Sequence, residues 1–440
     1  MEHEVMIVGG GIAGLTLAVK LASCNIDVLL VEKDEKSGTI YKGELLQPKS
    51  LEILNQLGVY DQIKQHGEAL PSIEMIEYHQ DEKGLELLGR NEFRYDILNS
   101  RFNTSVMIPH EKLKEILFRE ARKHPTFVHL KPARFTGFTY AKGKRKARVA
   151  LPDREQLVSA KFYVGAEGRV SPVRNEMKVT LKKHSYNHHF LTVSFPRPAS
   201  LKSSKIITTQ EKFLGLFPLP DNQVRSVLLI KPGEYKLMRK QGLDSFYQAY
   251  IDLMPELEGF VNQIQSWKQI QLMIPLRHNA SRYVEDNCIL VGDAAHSVHP
   301  MAGEGMNLAI QDADVLGELL CWMYETGQLE FDHLKGFEQV RKPRAEFVSR
   351  LSHQAALMYS FSTSTFQKLR MKGISNTERN KKLHFKQMLN TSGLGIWRFS
   401  LFDRMKQAGF VPSFIGGNTI SDSEQLTHFF TKEDDYPWMK

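Results

Sequence analysis

A glycine-rich turn near the start of the chain is the feature that most constrains its fold. An apolar stretch leads into Gly9, Gly11 and Gly14, and residues 15–23 have the apolar spacing of a helix. A second apolar stretch, residues 26–31, follows directly. Strand, glycine turn, helix and strand within about 30 residues form the βαβ unit that opens a doubly wound sheet. The sequence therefore predicts an α/β fold with a Rossmann-like nucleotide-binding domain.

The same turn predicts a site for a nucleotide diphosphate. Gly9 permits the tight turn, Gly11 lets the backbone approach a pyrophosphate, and Gly14 lets the helix pack on the strand. Glu32 follows the second strand, where a carboxylate can accept ribose hydroxyls, which favours FAD or NAD over NADP. The predicted cofactor contacts of this region are Gly9, Gly11, Ile12, Ala13, Gly14, Glu32 and Lys33.

A second loop, residues 292–307, follows the apolar stretch 288–291. Asp293 lies at a predicted strand end, where it can accept a hydrogen bond from a ribityl hydroxyl. The helix that begins near Met306 directs a positive N-terminus toward a reduced flavin. The predicted cofactor contacts here are Asp293, Pro300, Gly303, Gly305, Met306 and Asn307. Pro300 and Gly305 are assigned the catalytic task of positioning the flavin, His296 and His299 are read as structural, and no side-chain base is assigned.

A third motif, residues 163–174, joins the other two in a family resemblance. It resembles GADGxxSxxR, and residues 292–307 resemble GDAAHxxxPxxGxGxN, two signatures of the group A FAD-dependent aromatic hydroxylases of the para-hydroxybenzoate hydroxylase fold. Residues 299–308 are most similar to ubiquinone-biosynthesis hydroxylases, and GELLQP at residues 43–48 is similar to squalene epoxidases. The resemblance covers roughly residues 4–350, and it places Glu167, Lys42, Gln47 and His110 at FAD.

The resemblance also implies an activity. Such a protein binds FAD, consumes NADPH or NADH and O2, and hydroxylates or epoxidises a hydrophobic aromatic, quinone-like or polyene substrate through a flavin C4a-hydroperoxide. A pocket between the two lobes would be lined by the apolar stretches 213–220 and 272–276, with Tyr186 and His189 near it by location only. Two alternatives stay open: an FAD-dependent reductase of an isoprenoid or other double bond, and a non-catalytic FAD-fold escort protein.

The chain divides into three regions by pattern. Alternating apolar stretches broken by Pro and Gly predict an inserted antiparallel β-sheet domain, and the helical pattern after it predicts C-terminal helices. The predicted regions are an FAD-binding domain (1–75, 100–180 and 285–330), a substrate domain (76–99 and 181–284) and a C-terminal helical region (331–440). The polar, acidic tail from Ser421 is expected to be loosely held.

Cysteine count and charge limit the kinds of partner that the chain is expected to bind and the cellular compartment in which it is expected to work. Three widely spaced cysteines, Cys24, Cys288 and Cys321, argue against a disulfide framework and a metal site. The net charge of +8 is scattered along the chain, so nucleic acid binding is not expected. We therefore expect a cytoplasmic monomer or homodimer. Residues 394–414 alternate apolar and basic side chains; packing on the FAD-binding domain is favoured, and contact with a membrane surface is the alternative.

Overall fold

The structure, a computed structural model, describes residues 1–35, 43–141, 143–360, 363–412 and 418–439. Two large sheets with helices packed around them make up most of this part of the chain. The strands, in chain order, are β1 (Glu2–Val8), β2 (Val28–Val31), β3 (Leu45–Leu46), β4 (Glu68–Leu70), β5 (Ser72–Asp81), β6 (Gly84–Arg94), β7 (Ser105–Met107), β8 (Phe127–Leu130), β9 (Arg134–Ala141), β10 (Lys144–Ala150), β11 (Glu155–Gly165), β12 (Leu181–Ser185), β13 (His189–Pro196), β14 (Ser204–Thr208), β15 (Phe213–Leu219), β16 (Gln223–Ile230), β17 (Gln271–Met273), β18 (Leu276–Ala280), β19 (Val284–Glu285), β20 (Cys288–Leu290) and β21 (His296–Ser297).

The α-helices lie between these strands and after them. In chain order they are α1 (Ile12–Ser23), α2 (Pro48–Gln56), α3 (Tyr60–His66), α4 (His110–Ala121), α5 (Pro172–Glu176), α6 (Glu234–Gln241), α7 (Leu243–Ile251), α8 (Gly305–Thr326), α9 (Lys335–Met358), α10 (Ser364–Arg379), α11 (Lys381–Ser392), α12 (Leu401–Ala408), α13 (Asp422–Leu426) and α14 (Lys432–Asp435). None of the helices in the described part of the chain has both the length and the apolar character that a membrane span requires.

The first sheet confirms the predicted doubly wound fold. Its strands run in the order β19-β20-β11-β1-β2-β8, and β1 pairs in parallel with both β2 and β11. Val5, Ile7 and Leu29 are wholly buried because α1, α4 and α8 cover the sheet. Parallel strands buried on both faces need continuous apolar runs, which the sequence of β1 and β2 supplies.

The second sheet is the inserted one, with the order β17-β13-β16-β15-β14-β5-β6. Its neighbours are antiparallel except β14 and β5, which run in parallel. β5 begins at Ser72, so the chain enters this sheet a few residues before the boundary at 76 that the sequence indicates. The domain boundaries themselves stay a prediction.

Of the C-terminal helices, α10 and α11 pack against the inserted sheet, whereas α9 packs against α8. Helix α10 lies against β6 and α12, and α11 contacts the segment that follows β6. The prediction that residues 394–414 pack on the FAD-binding domain is therefore wrong for α12, which packs against α10. The described apolar side chains of that segment include exposed ones, of which Leu401 and Phe410 are the most exposed at 79% and 78%.

The C-terminal tail is anchored, in contrast to the expectation from its composition. Asp435 is 4% exposed and pairs with Lys49 of α2 (2.9 Å) and with Arg344 of α9. The Tyr436 hydroxyl donates to the buried carboxylate of Asp314 at 2.6 Å. One tail carboxylate, that of Asp435, thus neutralises a cation of α2 and a cation of α9.

A disulfide joins Cys24, at the end of α1, to Cys321 in α8. The prediction that the cysteines form no disulfide is therefore wrong: 297 residues separate these two, and no spacing motif in the sequence links them. Helices α1 and α8 pack side by side, which brings the two sulfurs together, and Cys288 is buried and free.

Candidate active site

The glycine turn lies at the carboxyl edge of the parallel sheet. Val8 pairs with Val31 on one side and with Gly165 on the other, so the segments after β1, β2 and β11 meet there. A Cβ atom on Gly9 would lie 2.5 Å from the Ala166 carbonyl oxygen, and one on Gly14 would lie 2.0 Å from the Gly9 carbonyl oxygen. Both positions therefore require glycine, as the motif predicts.

Two helices begin at this edge with unblocked N-termini. Gly11 precedes α1 and Glu304 precedes α8, and neither helix start has a side-chain cap. A Cβ atom on Gly11 or Gly305 would meet no protein atom within 4 Å. Free N–H groups beside open space suit an anion or an electron-rich ring, so the described residues fit the diphosphate and flavin of FAD.

Glu32 lies beside the glycine turn and shapes it. Its carboxylate accepts hydrogen bonds from the backbone N–H of Gly10 at 2.7 Å and of Asp34 at 2.9 Å. Each oxygen keeps a lone pair with which it can accept a ribose hydroxyl. Lys33 is exposed next to it. The cofactor contacts of both residues stay predictions.

Asn307, in the first turn of α8, holds the second loop in place. Its side-chain oxygen accepts from the Gln47 backbone N–H and the Ser50 hydroxyl, each at 2.8 Å. Its side-chain nitrogen donates to the carbonyl oxygens of Leu45 and Gly303, each at 3.0 Å. The Asn307 side chain is therefore occupied in fixing β3 to the loop, and its predicted contact to FAD could involve only its backbone.

The rest of this loop is shaped by close packing. Gly303 has a φ of +67°, and a Cβ there would lie 3.1 Å from Leu45. A Cβ on Gly43 would lie 3.2 Å from the Cβ of Met306. Pro300 begins a single 3₁₀ turn that ends at Gly303. These contacts place Pro300, Gly303, Gly305 and Met306 in one connected segment beside β3.

The family resemblance places at FAD one residue just before β3, Lys42, and one at the start of α4, His110. His110, at the start of α4, lies with Nδ1 3.1 Å from the Gly43 carbonyl oxygen, so that nitrogen carries the hydrogen of this bond. His110 therefore positions Gly43 beside Met306. The predicted phosphate contact of Lys42 falls outside the residues that the structure describes.

Asp293 follows β20 at the same edge as the glycine turn. Its carboxylate is 38% exposed and lies 3.7 Å from the Arg169 guanidinium. Arg174 is buried and donates to the carbonyl oxygens of Ala294 (2.8 Å) and Arg169 (2.7 Å). Arg174 thus braces two loops against each other, and Asp293 is held accessible between them.

Glu167 has a structural task in addition to any contact with FAD. Its two oxygens accept from the Ser171 hydroxyl (2.7 Å) and the Val173 backbone N–H (3.0 Å) at the start of α5. Burial raises the pKa of its carboxyl to about 7. The contact to FAD that the resemblance implies for Glu167 stays a prediction.

A buried ion triad, which the sequence analysis did not identify, supports the second loop. Asp312 of α8 accepts from the Gly292 N–H at 2.9 Å, His296 Nε2 at 2.7 Å and Arg341 Nε at 2.7 Å. Although burial opposes ionisation, His296 and Arg341 hold the pKa of Asp312 below its usual value. His296 is therefore a scaffold residue, as expected. Two carboxylates, Asp312 and Asp314, within the otherwise largely apolar run 308–316 were the available sequence signal.

A pair of histidines lies beside the same loop. His299 is wholly buried, accepts from the Met301 N–H through Nδ1 (3.2 Å), and lies with Nε2 2.9 Å from Nε2 of His188. The ring of Tyr186 stacks edge-on against His299 at 4.3 Å, and its hydroxyl lies 2.9 Å from His353 Nδ1. Burial and the neighbouring His188 lower the pKa of His299 to about 3, so both imidazoles are neutral.

One face of the inserted sheet meets the loop through apolar side chains. Phe190, Phe213 and Leu229 form a buried cluster, against which Met301 of the loop and Tyr359 after α9 pack. Arg225, on β16 of the same sheet, forms an ion pair with Glu44 through two hydrogen bonds, of 2.8 and 2.9 Å. Arg225 is thus neutralised, and the side chains that pack together beside Met301 of the loop are apolar.

A profile of the FAD binding domain family matches residues 2–352 of the chain. A 6-methylpretetramide 4-monooxygenase of Streptomyces rimosus is 28% identical over 361 residues, which cover 81% of this chain and 84% of that protein. The ubiquinone hydroxylase UbiL of Rhodospirillum rubrum is 24% identical over 414 residues, which cover 89% of this chain and 90% of that protein.

Solved structures share the fold. The p-nitrophenol 4-monooxygenase PnpA of Pseudomonas putida superposes with a TM-score of 0.75 at 16% identity, covering 90% of this chain and all of that one. PqsL of Pseudomonas aeruginosa, described as a probable FAD-dependent monooxygenase, has a TM-score of 0.73 at 22% identity, over 86% of this chain and all of that one. Three motifs at one sheet edge, two open helix N-termini and the match over residues 2–352 lead to one conclusion: the chain belongs to the FAD binding domain family and is an FAD-dependent monooxygenase of the aromatic hydroxylase type.

Proposed function

We propose that the chain oxygenates a large hydrophobic aromatic or quinone-like substrate, with NADPH or NADH and O2 as co-substrates. The observation that carries this proposal is the apolar face of Phe190, Phe213 and Leu229 against Met301 of the loop. A ring system placed there would lie between the inserted sheet and the open space beside Gly305.

A small carboxylated ring would need a cation in this region. Arg225 is committed to Glu44, and the neighbouring stretches 213–220 and 272–276 contain no Arg or Lys. The names of the two relatives point the same way, because one acts on 6-methylpretetramide and the other is a ubiquinone hydroxylase. An apolar surface selects by shape and area rather than by charge.

FAD, when bound, supplies the oxygen-transfer chemistry, and the route through a C4a-hydroperoxide stays a prediction. The protein's own residues do the rest. Gly11 and Gly305 leave space at two helix N-termini, Asn307 fixes the loop, and the apolar cluster excludes water from the ring edge. Excluding water protects reactive species from hydrolysis and strengthens the fields of nearby dipoles.

The test is a screen of substrate-stimulated NADPH and NADH oxidation with O2 uptake measured in the same cell. We expect polycyclic aromatic phenols and quinones to be oxygenated with little free hydrogen peroxide, and labelled oxygen gas to put one labelled atom in the product. A small hydroxybenzoate serves as the matched poor substrate. Tight coupling with the benzoate alone would contradict the substrate class, and turnover without O2 would favour the reductase alternative.

The apolar face has its own test. Phe213→Arg places a cation in the cluster, and we expect it to reduce oxygenation of the polycyclic substrate while FAD stays bound. Because Phe213 is itself buried, the thermal midpoint of the variant is measured beside its activity, and Leu237→Arg, at a side chain 54% exposed on α6, is the surface control. Equal product yield in the Phe213 and Leu237 variants would contradict the placement of the substrate.

A further inference from the structure

Helix α12 turns its apolar side chains toward solvent and its polar ones toward the protein. Leu401, Phe402 and Met405 are exposed, whereas Asp403 and Lys406 are buried. A surface helix of a globular domain ordinarily does the reverse, because burial of apolar surface drives folding. The orientation of α12 therefore leaves an apolar face that the described part of the chain does not cover.

Polar contacts on the buried side fix this orientation. The Asp403 carboxylate accepts a hydrogen bond from Lys386 Nζ of α11 at 2.8 Å. The Asn376 side chain of α10 donates to the carbonyl oxygen of Lys406 at 3.2 Å. A rotation of α12 that buried Leu401 would break both bonds and would expose a paired carboxylate. The apolar face therefore stays directed outward.

The apolar surface continues onto the two neighbouring helices. Arg404 of α12 donates to Gln354 Oε1 of α9 at 3.4 Å, and Arg370 of α10 donates to the Met358 carbonyl oxygen at 3.0 Å, so the three helices meet here. Six exposed apolar side chains of this region form what we call the outer apolar face: Met358, Leu369, Leu401, Phe402, Met405 and Phe410.

The net positive charge of the molecule is concentrated around this face. Residues 354–412 contain ten Lys and Arg and two Asp and Glu, an excess of +8 that equals the net charge of the whole chain. Lys and Arg occur along the whole sequence, but acidic residues balance them elsewhere. Lys368 and Lys372 are exposed on α10, and a Cβ at Gly409, next to Phe410, would meet the Lys372 side chain.

An apolar face among cations matches the surface of a membrane that contains anionic lipids. Apolar side chains enter the boundary between headgroups and acyl chains, while Lys and Arg attract the negative headgroups. We propose that the outer apolar face docks the protein on an anionic lipid membrane, with α12 lying in the plane of the interface. The occupant of this face is thus a lipid surface and not another part of the protein.

A second copy of the chain is the other occupant that an apolar face could take. Two such faces in contact would bring together two regions that each carry an excess of +8, and like charges across an interface oppose association. A negative lipid surface is instead attracted by the same cations. The charge distribution therefore favours a membrane over a dimer.

The test is flotation of the FAD-loaded protein with vesicles of two compositions, phosphatidylcholine alone and phosphatidylcholine mixed with phosphatidylglycerol. We expect binding to the mixed vesicles to be stronger by at least about tenfold, and to weaken as salt is raised, because salt screens the attraction between the cations and the headgroups. Equal binding to both compositions, or no binding to either, would overturn the proposal.

The apolar part is tested with matched leucines. Leu401→Gln combined with Leu369→Gln should weaken binding to the mixed vesicles by at least about tenfold. The thermal midpoint should not change, because both side chains are already exposed. Leu237→Gln combined with Leu157→Gln alters two exposed leucines of α6 and β11 and should bind as the unsubstituted protein does. Equal binding by the two double variants would refute the assignment of the face.

The basic part has a matched pair of its own. Lys368→Gln combined with Lys372→Gln should weaken binding to the mixed vesicles by about tenfold and reduce its dependence on salt. Lys83→Gln combined with Lys268→Gln removes the same charge at exposed positions outside residues 354–412 and should change binding little. If both pairs weakened binding equally, overall charge and not this face would be responsible, and the proposal would fail.

The mass in solution, measured by light scattering without vesicles, decides against the other occupant. A dimer that becomes a monomer in the Leu401 and Leu369 double variant would assign the face to a second copy and overturn the proposal. None of these measurements uses a substrate, NADPH or O2, so a failure of the proposed substrate class leaves them unaffected.

Discussion

At the scale of single residues, Asp312 shows how a carboxylate buried in an apolar helix is made stable. Its two oxygens receive three hydrogen bonds, from the Gly292 backbone, His296 and Arg341. Arg341 is itself wholly buried and also donates to Gln311 Oε1 at 3.2 Å. The loop that leads to Asp293 is thereby attached to α8 through charge rather than through apolar packing alone.

Asp312→Asn should destabilise the fold strongly, because it leaves Arg341 buried without its counter-charge. We expect the free energy of unfolding to fall by about 3–5 kcal/mol, measured by urea denaturation at neutral pH. Asp332→Asn is the matched control, since Asp332 is exposed and pairs only with Lys335, and its loss should stay within about 0.5 kcal/mol. Similar losses in both variants would mean that the triad carries no stability.

His299 should make stability depend on acid pH. Burial and His188 lower its folded pKa to about 3, whereas the unfolded group titrates near 6.5. Between these two pKa values the unfolded chain carries a proton on the His299 imidazole and the folded chain does not, so the free energy of unfolding falls as the pH falls from 6.5. His299→Gln should reduce this slope by about 1 kcal/mol per pH unit in urea denaturation between pH 6 and pH 5.

His333→Gln provides the control, because His333 lies near the surface beside Glu330. In the His333→Gln variant, the change of the free energy of unfolding with pH should stay close to that of the unsubstituted protein. If the His299 and His333 variants lost the same slope, or neither did, the buried neutral pair would not be the source of the acid sensitivity.

At the scale of elements, α1 and α8 act together. They pack side by side, their distal ends are joined by the Cys24–Cys321 disulfide, and their N-termini open onto one space at the sheet edge. Gly292, with a φ of +59°, fits between them: a Cβ there would lie 3.1 Å from Ala309 and 3.4 Å from Ala13. Small residues at this crossing let α1 and α8 lie close together near their N-termini.

Gly11→Val tests this space directly. No protein atom lies within 4 Å of a Cβ at Gly11, and its backbone is not in the left-handed region, so the apoprotein should fold normally. The side chain would instead occupy the place of the FAD diphosphate, and we expect FAD to be lost on purification. The measurement compares flavin content with the thermal midpoint of the apoprotein; flavin content equal to that of the unsubstituted protein would contradict the site.

At the scale of the whole molecule, the C-terminal tail closes on the FAD-binding domain. Asp435 neutralises Lys49 and Arg344, and Tyr436 donates to Asp314. Lys49 lies in α2, two residues after Gln47, so the tail supports the element that carries the Gln47 contacts. Helices α10 and α11 meanwhile contact β6 of the inserted sheet and α12 packs against α10, so the C-terminal region contacts both parts of the fold.

Ending the chain after Thr431 should uncover Lys49, Arg344 and Asp314. We expect a lower thermal midpoint and faster release of FAD, because Arg344 loses its carboxylate partner and Lys49 and Asp314 each lose one of two partners. Asp422→Asn with the full tail present is the control, since Asp422 lies at the exposed start of α13. Unchanged FAD release in the shortened chain would show that the tail supports stability alone or not at all.

The sequence by itself determined the parts that depend on local spacing. The spacing of Gly9 and Gly14 predicted two positions where the backbone approaches too closely for a side chain. The strand–turn–helix pattern predicted a parallel sheet, and two loops with the spacing of a known family predicted the edge at which the cofactor binds. Such patterns are readable because neighbours in the chain set them. The tertiary structure alone decided contacts between distant segments: Asp312 with Arg341, His188 with His299, Cys24 with Cys321, and the tail with α2. No local pattern encodes these, because each depends on how two elements pack and on how much water that packing removes.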